Sequence, residues 1–231
     1  LRGRGKGADP LGVFTVTNGV IRVSGREMGC LTTEREFSDY HLRVEYRFPG
    51  GAQYCGKEKS APDSGILFHS TGPDGEICQG KWMMGFEYNI IQGGTGDMIV
   101  AGGAGKGKDS VYTCQALVAT DGYTPENWRR WHHDPKGTWV DLGDWSWMRN
   151  VDFDRDWKDR GDQRLLPNER PVGAWNRCEL VCRGDCAEYF FNGKRVNRFR
   201  NMRPCGGRIQ LQSEAQGIEF RNNVLDPLDA P

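Results

Sequence analysis

The sequence predicts an all-β protein, an antiparallel β-sandwich with few or no helices. Three observations carry this. Residues 42–48 alternate strictly, Leu42, Val44, Tyr46 and Phe48 against Arg43, Glu45 and Arg47, as a strand with one buried face does. Comparable short runs recur along the chain and are punctuated by turn pairs such as Asn18-Gly19 and Asn192-Gly193, the second a strong two-residue hairpin signal. Gly (32) and Pro (11) together approach a fifth of the 231 residues, which suits many short strands, and no segment shows a helical period.

Taken in order, strands are predicted at 20–23, 42–48, 64–69, 86–91, 175–182, 188–191, 194–199, 208–212 and 218–222. Residues 49–63 and 70–81 read as long loops, because Gly, Pro, Lys and Asp crowd there. Residues 1–11 form a basic, glycine-rich, flexible segment, and 12–231 read as a single sandwich domain with no linker or internal repeat. Within it, 121–172 is a loop-rich excursion carrying Trp128, Trp131, Trp139, Trp145, Trp147 and Trp157, which would wall a cleft.

Composition narrows the partners. Lys+Arg (31) equals Asp+Glu (31), so no bulk charge recruits nucleic acid or an anionic membrane. No apolar run approaches the roughly 18 residues of a membrane span. The glycine-rich GGAGKGK at 102–108 is followed by Asp109 where a phosphate loop needs Ser or Thr, so nucleotide binding is rejected. Eight cysteines without a CxxC pair, and four histidines, give a structural zinc site poor support. Disulfides in an exported protein are the expected use, with Cys182–Cys186 flanking a hairpin turn and Cys55–Cys78 bracketing a loop as candidate pairs. The chain begins at Leu1 without Met, so a removed signal peptide and a periplasmic or extracellular location are expected. Nothing in the sequence indicates an oligomeric state.

The stretch FEYNIIQGGTGD, residues 86–97, concentrates the candidate chemistry. Alternation puts Phe86, Tyr88 and Ile90 on one face and Glu87, Asn89 and Ile91 on the other. That second face is either solvated surface or the floor of a site. His69 ends the SGILFH strand, where it serves as acid, base or metal ligand, or simply binds a loop carbonyl. Alternation groups it with Gly65 and Leu67. Gln212 shares a face with Arg208 and Gln210, and Glu214 follows at the strand end, either at a site rim or as a turn acid. Glu219 and Arg221 read as a cross-strand ion pair. Arg43 has the same ambiguity between a structural and a binding role. Trp82, just before the Glu87 strand, is the tryptophan nearest in sequence to this face and a candidate sugar-stacking surface.

Six segments in order, NGVIRVSG, FSDYHLRVEYRF, DSGILFHSTGPDG, FEYNIIQGGTGD, WNRCELVCRGDCAEYFFNGKRVN and LQSEAQGIEFRNN, together resemble the 3-keto-disaccharide hydrolase domain family. The resemblance implies a concanavalin-like jelly roll whose concave sheet holds a sugar site, and an exported, bacterial setting. It also implies cleavage of glycosides already oxidised at C3. A C3 ketone acidifies the C2 hydrogen, so a base removes that proton, the C1 oxygen leaves, and water adds. Such chemistry needs a base, an acid or cation at the leaving oxygen, and a donor or metal at the C3 oxygen. The implied catalytic set is Glu87, His69 and Glu214, supported at the substrate by Asn89, Gln92, Trp82, Gln212 and Arg43. Relatives read E-x-Q-I-x-E where this chain has Glu87-Tyr88-Asn89-Ile90-Ile91-Gln92, so the second acid is Gln92, and many carry Arg in place of His69. The loss of that acid favours the rival reading, a non-catalytic glycan-binding module. No cofactor is required; a divalent cation such as calcium is conceivable on oxygen ligands, but no motif supports it.

Overall fold

The protein is described here by a computed structural model covering residues 9, 11–50, 61–77, 80–103, 109–119, 133–148, 165–214 and 216–229. The expected Cys55–Cys78 pair, Trp128, Trp131, Trp157 and His132 lie outside these residues, as does much of 121–172. The described chain is two antiparallel sheets, with no α-helix among the described residues.

One sheet contains β3 (Gly29–Thr32), β5 (Asp63–Thr71), β6 (Met84–Ile91), β7 (Met98–Ala101), β10 (Trp147–Met148) and β14 (Arg208–Ser213), in the order β10-β7-β6-β5-β14-β3. The other contains β1 (Phe14–Thr17), β2 (Val20–Val23), β4 (Tyr40–Arg47), β8 (Thr113–Val118), β9 (Thr138–Leu142), β11 (Asn176–Arg183), β12 (Cys186–Phe191), β13 (Lys194–Arg203) and β15 (Ile218–Pro227). Its order is β1-β2-β15-β4-β11-β12-β13-β8-β9. This is the jelly roll expected from the alternation. β4 alternates buried and half-buried from Tyr40 to Arg47, as predicted. Its apolar residues meet those of β5, β6 and β12 between the sheets.

An aromatic spine fills that interior. Tyr88 stacks on Tyr189 at 4.5 Å, Phe68 meets Phe86 and Tyr189, and Phe86 meets Tyr112. The phenols of Tyr88 and Tyr189 find partners there. Tyr88 donates to the Phe190 carbonyl at 3.0 Å, and Tyr189 donates to the Glu87 carbonyl at 3.3 Å. The core therefore holds the backbone of Glu87 from the opposite sheet.

His69 belongs to this interior, which corrects its expected place beside Gly65 and Leu67. Its φ is +49° and the β5–β6 register shifts between Phe68 and Thr71, so the alternation ends there. The ring packs edge-on against Tyr40 at 6.1 Å and Phe68 at 4.9 Å, fully buried. Its nitrogens reach no partner at hydrogen-bond geometry, so the Pro204 and Ser38 backbones and the Asp39 charge offset only part of the burial. Burial pushes the imidazole pKa from 6.5 down to about 4. The folded state then binds fewer protons than the unfolded chain between those values, so stability falls as pH drops through that window. The expected loss is about 3 kcal/mol. Denaturant unfolding of wild type and His69→Phe at pH 7 and pH 4 checks this: the gap should move in favour of the variant at pH 4. A pH-independent gap would contradict it.

The described cysteines correct the disulfide expectation. Cys30, Cys114, Cys178, Cys182, Cys186 and Cys205 are free thiols. Cys182 pairs in register with Ala187 and Arg183 with Cys186, so Cys182 faces the core while Cys186 faces outward. Neighbouring hairpin positions of opposite parity cannot bridge.

Candidate functional site

The outer face of the six-stranded sheet carries the candidate site, and its rows follow from register. Gly65 on β5 pairs with Asn89 on β6, Leu67 with Glu87, and Asp63 with Ile91. On the other side of β5, Ile66 pairs with Leu211 and Leu67 with Gln210. Continued one step at a time, that register sets Gln212 beside Gly65 and Glu214 beside Asp63. Gln212 in turn pairs with Cys30 on β3.

Gly65 is the notch at the centre. A methyl placed on its Cα would lie 2.3 Å from Gln212 Oε1 and 2.4 Å from Glu87 Oε1. The Glu87 carboxyl and the Gln212 amide therefore lean over the glycine from either side. Gln212 hydrogen-bonds the Glu87 carboxyl. Glu87, Asn89 and Gln212 are 5%, 2% and 1% exposed, too buried for solvated strand surface.

Three carboxyls share this ground. Burial first, then the Glu214 charge, hold Glu87 well above the ordinary carboxylate range, while Gln212 pulls the other way. Burial, Glu214, Glu87 and Asp97 raise Asp63 in the same sense, against a hydrogen bond from the Ser64 backbone. Glu214 lies partly exposed at the rim, and desolvation pushes it up to about 7, with Lys81 pulling it back. Like charges this close cannot all ionise, so the cluster retains protons at neutral pH. Three buried acceptors in it, Asp63 Oδ1, Asn89 Oδ1 and Gln212 Oε1, have no protein partner.

The turn after β6 is fixed from behind. Gly94 N–H donates to the Ile91 carbonyl and Asn89 N–H to the Asp97 carbonyl. Tyr46 and Thr95 share a 2.9 Å hydrogen bond, and Asn197 donates to the Gly96 carbonyl at 2.6 Å. Asp97 returns beside Asn89 and accepts the Trp147 indole N–H at 3.2 Å. Trp147, half-buried, pairs with Ile99, itself the partner of Glu87, so an indole borders this face at β10.

Glu87, Asn89, Gln212 and Glu214 are thus brought together as the sequence suggests. Gln92 is buried at the same end of β6, its N–H donating to the Pro62 carbonyl next to Asp63. The other three candidates lie elsewhere. His69 is in the core. Arg43 is on the outer face of the nine-stranded sheet, paired with Asp226, because its parity on β4 opposes that of Leu42 and Val44. Trp82 is 7% exposed within the core cluster, its indole N–H held by the Gly29 carbonyl at 3.1 Å. Sequence reasoning missed Asp63 and Asp97, and took Trp147 only as one of the tryptophans of the 121–172 excursion. Asp63 was legible in principle: it stands two residues before Gly65, on the same parity. Among the described residues, no group of three or more His, Cys, Asp or Glu side chains is arranged to hold a metal ion.

A jelly roll with an acid-lined outer sheet face defines the class: a carbohydrate-active, glycosyl hydrolase-like fold. The chain belongs to the 3-keto-alpha-glucoside-1,2-lyase-like domain family, whose model matches residues 2–225. Among solved structures, one of a candidate glycosyl hydrolase from Parabacteroides distasonis superposes with a TM-score of 0.51 at 15% identity, covering 94% of this chain and 84% of that one. A second from the same organism gives 0.49 at 15% identity, with 94% and 90% covered. A carbohydrate-binding module from Bacillus subtilis gives 0.48 at 9% identity, with 92% and 90% covered. No curated protein sequence matches the chain.

Proposed function

We propose that the protein cleaves glycosides oxidised at C3, by removing the C2 proton and expelling the C1 oxygen. The observation that carries this is the cluster of Glu87, Glu214 and Asp63 around the Gly65 notch, with Glu214 raised to about 7 and the other two carboxyls held well above the ordinary carboxylate range by burial and by one another. A carboxyl near pH 7 is matched to proton transfer at physiological pH. Glu214, at about 7, is the group able to act as base; Glu87, held protonated by burial and by its neighbour, is the group able to act as acid. In the reaction, the carboxylate takes the proton on C2 and the C2–H pair becomes the C1=C2 bond. The C1–O bond breaks and the departing oxygen takes the acid's proton. Water then adds across C1=C2. The Gln212 amide bonds the Glu87 carboxyl and so orients the acid.

The substitution of Gln92 for an acid favours a glycan-binding module as the second reading. It weakens that case that Asp63 and Glu214 bring carboxylates to Glu87 from two other strands. The two readings separate on incubation with a 3-keto-glucoside. The enzyme releases free sugar; the module binds plain glycans and leaves every oxidised glucoside intact.

A further inference from the structure

We propose that Asp63 holds a ring hydroxyl of the bound sugar and so selects the substrate, an assignment that rests on the carbohydrate reading above. Asp63 opens β5 on the face of Gly65, beside Glu214 in the continued register and opposite Ile91. Its Oδ1 is buried and has no protein partner. A buried acceptor left open this way costs stability unless something else meets it.

Two further open acceptors stand in the same place. Asn89 Oδ1 and Gln212 Oε1, on side chains 2% and 1% exposed, are likewise unpartnered. Gln212 Oε1 lies directly over the Gly65 Cα. Asn89 pairs with Gly65, so the three acceptors surround one glycine. A ligand meeting all three must present several donors at close spacing, as the vicinal hydroxyls of a sugar ring do. A hydroxyl also both donates and accepts, so it can follow a carboxyl cluster that exchanges protons with its neighbours. The half-buried Trp147, bonded to Asp97 at the far side of Asn89, offers an apolar edge for the same ring. Asp63 is thus the residue that tells a hydroxylated ring from a deoxygenated one, because a site built to bond a hydroxyl rejects the analogue lacking it.

The test is calorimetric titration of wild type and Asp63→Ala with methyl glucoside and its monodeoxy analogues, beside turnover of a 3-keto-glucoside. Asp63→Ala, which removes the acceptor, is expected to weaken glucoside binding about ten- to hundredfold. One monodeoxy analogue should weaken wild type by a similar factor and Asp63→Ala no further, the signature of a shared contact. KM should rise in the variant. Thermal unfolding of the variant, and the wild-type series by itself, guard against misfolding. Equal affinities of both proteins across the whole series, or a coupling to no analogue, would overturn the assignment. If that coupling holds but wild type releases no sugar, cleavage fails and the assignment stands. If turnover proceeds with the same KM in both proteins, the assignment fails and cleavage stands.

Discussion

Glu87→Gln is expected to lower kcat on a 3-keto-glucoside by about 10²–10⁴-fold, with KM nearly unchanged. The change keeps the size of the side chain and a group for Gln212 to bond, and removes only the exchangeable proton. The same variant should be more stable than wild type above about pH 5. Glu87 has a raised carboxyl pKa in the folded state, so the fold binds its proton more tightly than the unfolded chain does. That contribution is present at low pH and is lost as pH rises, so removing the group helps where the wild type is penalised. Activity falling while stability climbs is the pattern of a group placed for function. Progress curves and urea midpoints at pH 5 and pH 8 read both. Full activity in Glu87→Gln would remove Glu87 from the mechanism. In wild type, kcat/KM should rise through a limb near pH 7 set by Glu214, and Glu214→Gln should lose it.

Gly65→Ala is expected to cost about 10- to 100-fold in kcat/KM, the scale of displacing a reacting group by about 1 Å. The new methyl would stand 2.3 Å from Gln212 Oε1 and 2.4 Å from Glu87 Oε1, closer than atoms approach, so both side-chain ends must move. Gly65 sits inside β5 without a positive φ, so alanine meets no backbone strain, and the displaced atoms are the ends of flexible side chains. Stability should therefore shift by less than about 1 kcal/mol. Thermal unfolding beside kinetics separates the two effects. Equal activity of Gly65→Ala and wild type would mean that the notch is not where substrate sits.

The fold was legible where side chains alternate. β4 and the hairpin of β11 and β12 fall where the period of two put them, because one face of each is core and the other is not, and β6 falls there by the alternation of its residue types although both its faces are buried. β7 and β10 were not legible: four and two residues are too short for a period to show. Half of the candidate site was legible for the same reason. Glu87, Asn89 and Gln212 follow from parity within single strands. Asp63 shares the parity of Gly65 within β5, but its place beside Glu214, and that of Trp147 beside Ile99, come only from pairing between strands, which no local pattern encodes. His69 was misplaced because a single residue at φ +49° reverses parity, and sequence gives no warning of a left-handed histidine. Arg43 and Trp82 were misplaced because alternation shows which residues share a face and not which sheet, or which side of it, that face belongs to.

The most direct measurement is release of sugar from a 3-keto-glucoside carrying deuterium at C2, compared with its unlabelled twin. Abstraction of the C2 proton by Glu214 predicts slower release from the labelled substrate, solvent hydrogen at C2 of the product, and loss of both turnover and exchange in Glu214→Gln. Equal rates with deuterium retained at C2, or binding without any release, would contradict it.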